Sequence, residues 1–125
     1  MSDPLSSCSN SEPFALQVLG NSMEPEFPDQ CIIIVEPWPY PAEHGMYVMA
    51  MVEDTRWFRQ YLNDAQGERL VALNDLYPDI PLAGMEWKVE GVIVQRTIKL
   101  DYATHGRRRD VKKFDYSQNN YAEPA

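Results

Sequence analysis

The sequence predicts a mainly β domain of short strands, and three observations predict it. Ten prolines and six glycines are scattered through 125 residues, which favours turns over long helices. No segment sustains a helical apolar period over about twelve residues. Between the turn residues, β-branched or alternating apolar runs recur instead. The length suits one domain, with a core large enough to need neither a disulfide framework nor a structural metal.

The elements follow in order. Residues 1–13 are rich in Ser, Asp, Asn and Pro and predict a disordered N-terminal segment. Residues 14–100 form the predicted domain. Phe14 to Leu19 is a short strand stopped by Gly20-Asn21. Cys31 to Val35 is a β-branched strand bounded by Pro28 and Pro37, and a proline loop from Pro37 to Pro41 follows it. Met46 to Val52, apolar throughout, predicts a strand buried on both faces. Arg56–Leu62 pairs with Arg69–Leu73 across the turn Asn63-Asp-Ala-Gln-Gly67. The last strand runs from Trp87 to about Leu100, with Gly91 as a bulge or bend. Beyond it the apolar pattern decays, and residues 101–125 predict a flexible C-terminal tail.

Charge narrows the function. Residues 1–105 hold sixteen acids against six bases, and residues 106–125 hold three against five, giving the net −8. An acidic body is repelled by phosphate backbones, so no direct DNA binding by the folded domain is expected. The basic cluster Arg107 to Lys113 reads as a solvated tail, a nucleic-acid contact or a segment docked on the acidic body. Cys8 and Cys31 read as reduced thiols, Cys31 buried and inert. The N-terminus lacks a basic, apolar signal segment, and the longest apolar run is too short for a bilayer. A cytoplasmic protein is expected, with no membrane partner. Two His and two Cys at 8, 31, 44 and 105 have no metal-ligand spacing, and no cofactor is called for.

One stretch carries chemistry: Gly20-Asn21-Ser22-Met23-Glu24-Pro25-Glu26-Phe27-Pro28-Asp29. A serine after Gly-Asn ordinarily caps a turn through its hydroxyl. A serine ending a strand at a tight turn also has the placing of a nucleophile, with backbone N–H groups near a substrate carbonyl. Ser22 is therefore the candidate nucleophile, and Asn21 and Met23 are the candidate turn and oxyanion-hole residues.

These residues resemble the signature of the LexA/UmuD-type serine–lysine peptidases and the related C-terminal domains of phage repressors, Gly-Asp/Asn-Ser-Met-x-Pro. The likeness continues through Pro28-Asp29-Gln30-Cys31, Gly45 and its strand, Trp57-Phe58-Arg59-Gln60-Tyr61, Leu73-Asn74-Asp75 with Tyr77-Pro78, and Trp87 to Val94. It implies a LexA/UmuD/signal-peptidase-like β fold of short twisted strands, a homodimer formed through C-terminal strands, and a repressor or stress-response (SOS-type) setting. Bacterial signal peptidases share Ser-Met-x-Pro, but they need a membrane anchor and a lysine after the serine, and neither is expected in place here.

Two departures qualify the resemblance. The family's lysine accepts the serine proton, and matching its strand places Arg59 there. Arginine is always protonated and has no lone pair to offer. The first lysine in the sequence is Lys88. Residues 1–21 also lack the Ala-Gly or Cys-Gly bond that self-cleaving members carry, and only about twenty residues precede Ser22, too few for a helix-turn-helix.

The expected function is a catalytically impaired peptidase-fold domain acting by dimerisation or by binding a protein or peptide in the cleft. The alternative is an active hydrolase with Ser22 as nucleophile. His44 reads as a solvent-facing loop residue, and His105 falls in the tail. Arg59 is expected to pack on aromatics and pair with an acid, or else to offer a donor fork to a carboxylate or carbonyl. Trp38 and Tyr40 are candidate partner contacts or caps on the barrel end.

Overall fold

The computed structural model describes residues 12–99 and 109–116. These form eight strands in chain order: β1 (Phe14–Gln17), β2 (Ile32–Pro37), β3 (Tyr47–Val52), β4 (Thr55–Asp64), β5 (Gly67–Val71), β6 (Ile80–Pro81), β7 (Trp87–Lys99) and β8 (Arg109–Lys113). All pairings are antiparallel, in the order β1-β2-β7-β3-β4-β5-β6, with β8 also on β7. The mainly β, single-domain expectation holds. Among the described residues no helix is long and apolar enough to cross a membrane.

β7 is the spine. Residues 91–97 pair with β2 along one edge. The other edge is shared, β3 taking residues 87–92 and β8 taking residues 95–99. Glu90 has no partner on β3, because Met49 pairs with Gly91 and Ala50 with Val89, so the expected bulge is present. Gly91 is demanded by space. A Cβ there would sit 2.7 Å from Val35 Cγ1 and 2.8 Å from the Glu36 carbonyl oxygen, where β2 crosses.

β3 is buried nearly throughout, as its unbroken apolar sequence predicts. It packs with Met23, Phe27, Ile33, Val35, Leu70 and Ile93 into one core. Gln60, 1% exposed, is accommodated because its side-chain amide donates to the Gly45 carbonyl at 3.0 Å. The β4–β5 hairpin closes more tightly than expected, with Ala65 and Gln66 between the strands.

The expected flexible tail over residues 101–125 is corrected in its described part. Residues 109–113 form β8, and the two aromatics beyond it enter the core, Phe114 at 7% and Tyr116 at 8% exposure. Phe114 packs in a tilted arrangement on Phe27 at 5.5 Å and meets Tyr47 edge-on at 5.4 Å, and the Tyr116 hydroxyl donates to the Ile93 carbonyl at 2.6 Å. The charge-rich strand is held by these flanking rings and by ion pairs. Residues 1–11, with Cys8, and His105 and Arg107 lie outside the described residues.

Candidate functional site

The site is a turn between β1 and β2 resting on an apolar floor. Gly20 ends the β1 segment at φ +98°, a left-handed conformation suited to glycine, and its N–H donates to Asp29 Oδ1 at 2.7 Å. Val18 and Gln30 lock the neck of the turn, Val18 N–H donating to the Cys31 carbonyl and Gln30 N–H to the Val18 carbonyl. Met23 and Phe27 are both completely buried. Phe27 meets Tyr47 and Phe58 edge-on at 4.9 and 5.0 Å. Two anchored residues thus follow Ser22 at short spacing, and the serine is left half-buried on the rim.

A second segment grips the turn from above. The Asn74 N–H donates to the Ser22 carbonyl, and its side-chain amide to the Asn21 carbonyl, both at 3.1 Å. The Tyr77 hydroxyl donates to Asn21 Oδ1 at 2.6 Å. Asn21 is therefore a turn residue held from two sides, and Met23 contributes its side chain to the core. Asn74 and Tyr77 lie in the segments that carry the family resemblance, but the sequence assigns neither a role. The contacts span 53 and 56 residues, beyond what local spacing reveals.

Arg59 is brought to Ser22 from β4. Its Nη1 donates to Ser22 Oγ at 3.1 Å and to the Phe58 carbonyl at 2.9 Å. The guanidinium carbon lies 5.0 Å from the Trp57 ring centre and 5.8 Å from that of Tyr77. Packing on aromatics is as expected. The expected acidic partner is corrected: among the described residues no carboxylate forms an ion pair with Arg59. Its Nε is buried without a hydrogen-bond acceptor. Burial pulls the Arg59 pKa down from its ordinary value, with the Tyr77 phenol acting weakly against the shift. An arginine starts so high that it stays cationic at neutral pH. The pair therefore has a fixed polarity in which arginine donates and serine accepts, and a proton cannot pass from Ser22 to Arg59.

The remaining candidates lie elsewhere. His44 Nδ1 accepts from the Asn63 N–H at 2.9 Å, on the loop before β3. Cys31 is buried, and desolvation raises its thiol pKa to about 11, with the Arg96 charge opposing. Among the described residues no group of three or more His, Cys, Asp and Glu is placed to hold a metal. Trp38 and Tyr40 meet edge-on at 5.2 Å. Trp38 also packs near Tyr116 at 6.4 Å, while Tyr40 is 64% exposed. With Pro41, Tyr61, Glu68, Trp87 and Lys88 they line a groove of about 420 Å³.

Comparison with known proteins matches residues 3–94 to the Peptidase S24-like family. The HTH-type transcriptional regulators for conjugative element R391 of Providencia rettgeri and SXT of Vibrio cholerae are each 35% identical over 92 residues. A third, for pMERPH of Shewanella putrefaciens, matches equally. In each case the alignment covers 68% of this chain and 42% of the relative, so the chain spans less than half the length of the curated relatives it matches.

Proposed function

Because the chain belongs to the Peptidase S24-like family and carries a LexA/UmuD-type peptidase-like domain, we propose that it is a repressor-type domain whose peptidase chemistry is silenced. It works in the cytoplasm by self-association and by holding a protein or peptide segment in the serine cleft. One observation carries this reading: the group 3.1 Å from Ser22 Oγ is an arginine donor, where activation of the serine needs an acceptor. Tyr77, Asn74 and the buried pair Met23 and Phe27 still hold the serine turn in place. A held turn without a base suits binding better than turnover. The relatives' printed role as HTH-type transcriptional regulators supports a setting in bacterial gene control, and the LexA/UmuD likeness suggests an SOS-type response as the particular setting. By the same family likeness the domain forms a homodimer, which sedimentation at micromolar concentration tests directly.

The deciding experiment is labelling by a fluorophosphonate at pH 7 and pH 10, followed by intact mass, on wild type, Ser22→Ala and Arg59→Lys. Wild type and Ser22→Ala are expected to remain unlabelled. Arg59→Lys gains Ser22 labelling that grows at the higher pH, where a lysine amine becomes neutral. Labelling of wild type at Ser22 would overturn the reading and establish Ser22 as an active nucleophile.

A further inference from the structure

We propose that Ser22 and Arg59 together form a receptor for a peptide carboxylate. The inference rests on the reading of the cleft as catalytically silent, and it names what the cleft binds. Arg59 is 9% exposed. A cation so far out of water is ordinarily matched by an anion, because the desolvation cost is otherwise uncompensated. This protein has anions to spare, with nineteen acids against eleven bases. Among the described residues another buried arginine, Arg96, binds two carboxylates, Glu26 at 2.7 Å and Asp110 at 3.0 Å. Arg59 is nonetheless left with a hydroxyl, a carbonyl and two rings.

The donors left over define the ligand. Nη1 is used within the protein and Nε is sealed in. Nη2 donates to no described atom and is not among the sealed-in atoms. Ser22 Oγ accepts from Arg59, and its own proton has no acceptor among the described residues. Two neighbouring donors, one of them charged, match the two oxygens of a single carboxylate. A neutral peptide carbonyl could accept from both donors but would leave the positive charge uncompensated. The acidic body disfavours a small free anion, so the carboxylate has to arrive on a peptide whose backbone adds contacts along the cleft.

Calorimetric titration of the full chain tests this with three tripeptides. They are N-acetyl-Ala-Ala-Ala as the free acid, the same peptide as its C-terminal amide, and N-acetyl-Ala-Asp-Ala amide. At least one carboxylate peptide is expected to bind about tenfold or more tightly than the neutral amide, the size of a charge-assisted hydrogen bond. Whichever of the two binds identifies a chain terminus or an acidic side chain as the source. Arg59→Gln is expected to erase the preference, and Ser22→Ala to weaken it several-fold. Equal binding of all three peptides, or none, overturns the receptor. So does sodium acetate competing as well as the peptides, which would mark an adventitious anion site only. If Arg59→Gln fails to fold, the acid-against-amide comparison on wild type still decides. Fluorophosphonate labelling of wild type would remove the silent-site reading, whereas loss of the carboxylate preference with no labelling removes the receptor alone.

Discussion

Arg59 and Arg96 are buried to nearly the same extent, 9% and 7% exposed, and their surroundings are opposite. Arg96 is embedded in charge. Its Nη1 donates to both the carbonyl and the carboxylate of Glu26, its Nη2 to Asp110, and Lys112 approaches Glu26 within 3.0 Å. It joins the serine turn to β7 and β8, and two carboxylates match its charge. Arg59 has two aromatic faces, one hydroxyl, and no carboxylate among the described residues. The contrast separates a cation that builds the fold from a cation the fold tolerates. Lowering of the Arg59 pKa by burial means the folded state holds that charge less readily than the unfolded chain does. At neutral pH its charge therefore subtracts from stability.

Substitutions can break or sharpen this contrast. Arg96→Met leaves the half-buried Glu26 carboxylate without its main partner and is expected to cost about 3 kcal/mol or more, read from urea denaturation. Tyr77→Phe keeps the ring over Arg59 but removes the hydroxyl bond to Asn21, and should cost about 1 kcal/mol. Arg59→Met removes an unmatched charge while preserving much of the apolar volume, and its stability should lie within about 1 kcal/mol of wild type. Equal losses for Arg59→Met and Arg96→Met in the same denaturation series would end the distinction.

The smallest effect concerns an ion pair whose carboxylate, Asp64, is exposed. Arg69 hydrogen-bonds Asp64 at 2.8 Å and holds its carboxylate pKa at about 2, below the ordinary 3.8. Because the folded-state value is depressed, the contribution is fully present above the unfolded pKa and is lost as pH falls through about 2. Wild type should therefore lose stability relative to Asp64→Asn across that acid range, in thermal melts at low ionic strength, and added salt should shrink the difference.

The sequence made the strands from Phe14 to Lys99 readable because β-branched runs, prolines and glycines mark their ends. β6 escaped, being only Ile80–Pro81. β8 escaped because Arg109-Asp-Val-Lys-Lys113 has one apolar residue, Val111, which is 50% exposed. Its hold on the sheet comes from Phe114, Tyr116 and ion pairs with residues far away in sequence. Ser22 and its turn were readable from a local motif. The meeting of Ser22 with Arg59 was accessible only through family likeness, since 37 residues separate them. Whether Arg59 would find an acid could not be read from composition: with nineteen acids available, pairing was the natural expectation, and the aromatic sides of the site displaced it.

The reach of Glu26 has a consequence for how the domain comes into being. Its side chain meets Arg96 and Lys112, 70 and 86 residues further along, and Phe27 beside it waits for Phe114. Contacts of such separation require large loops to close before they yield any stabilisation, which slows folding. During synthesis the serine turn emerges before the ring and the cation that complete its floor, the cation following 86 residues after Glu26. For that interval Phe27 lacks its cover, and the nascent domain presents an apolar surface to whatever chaperone or sister chain is nearby.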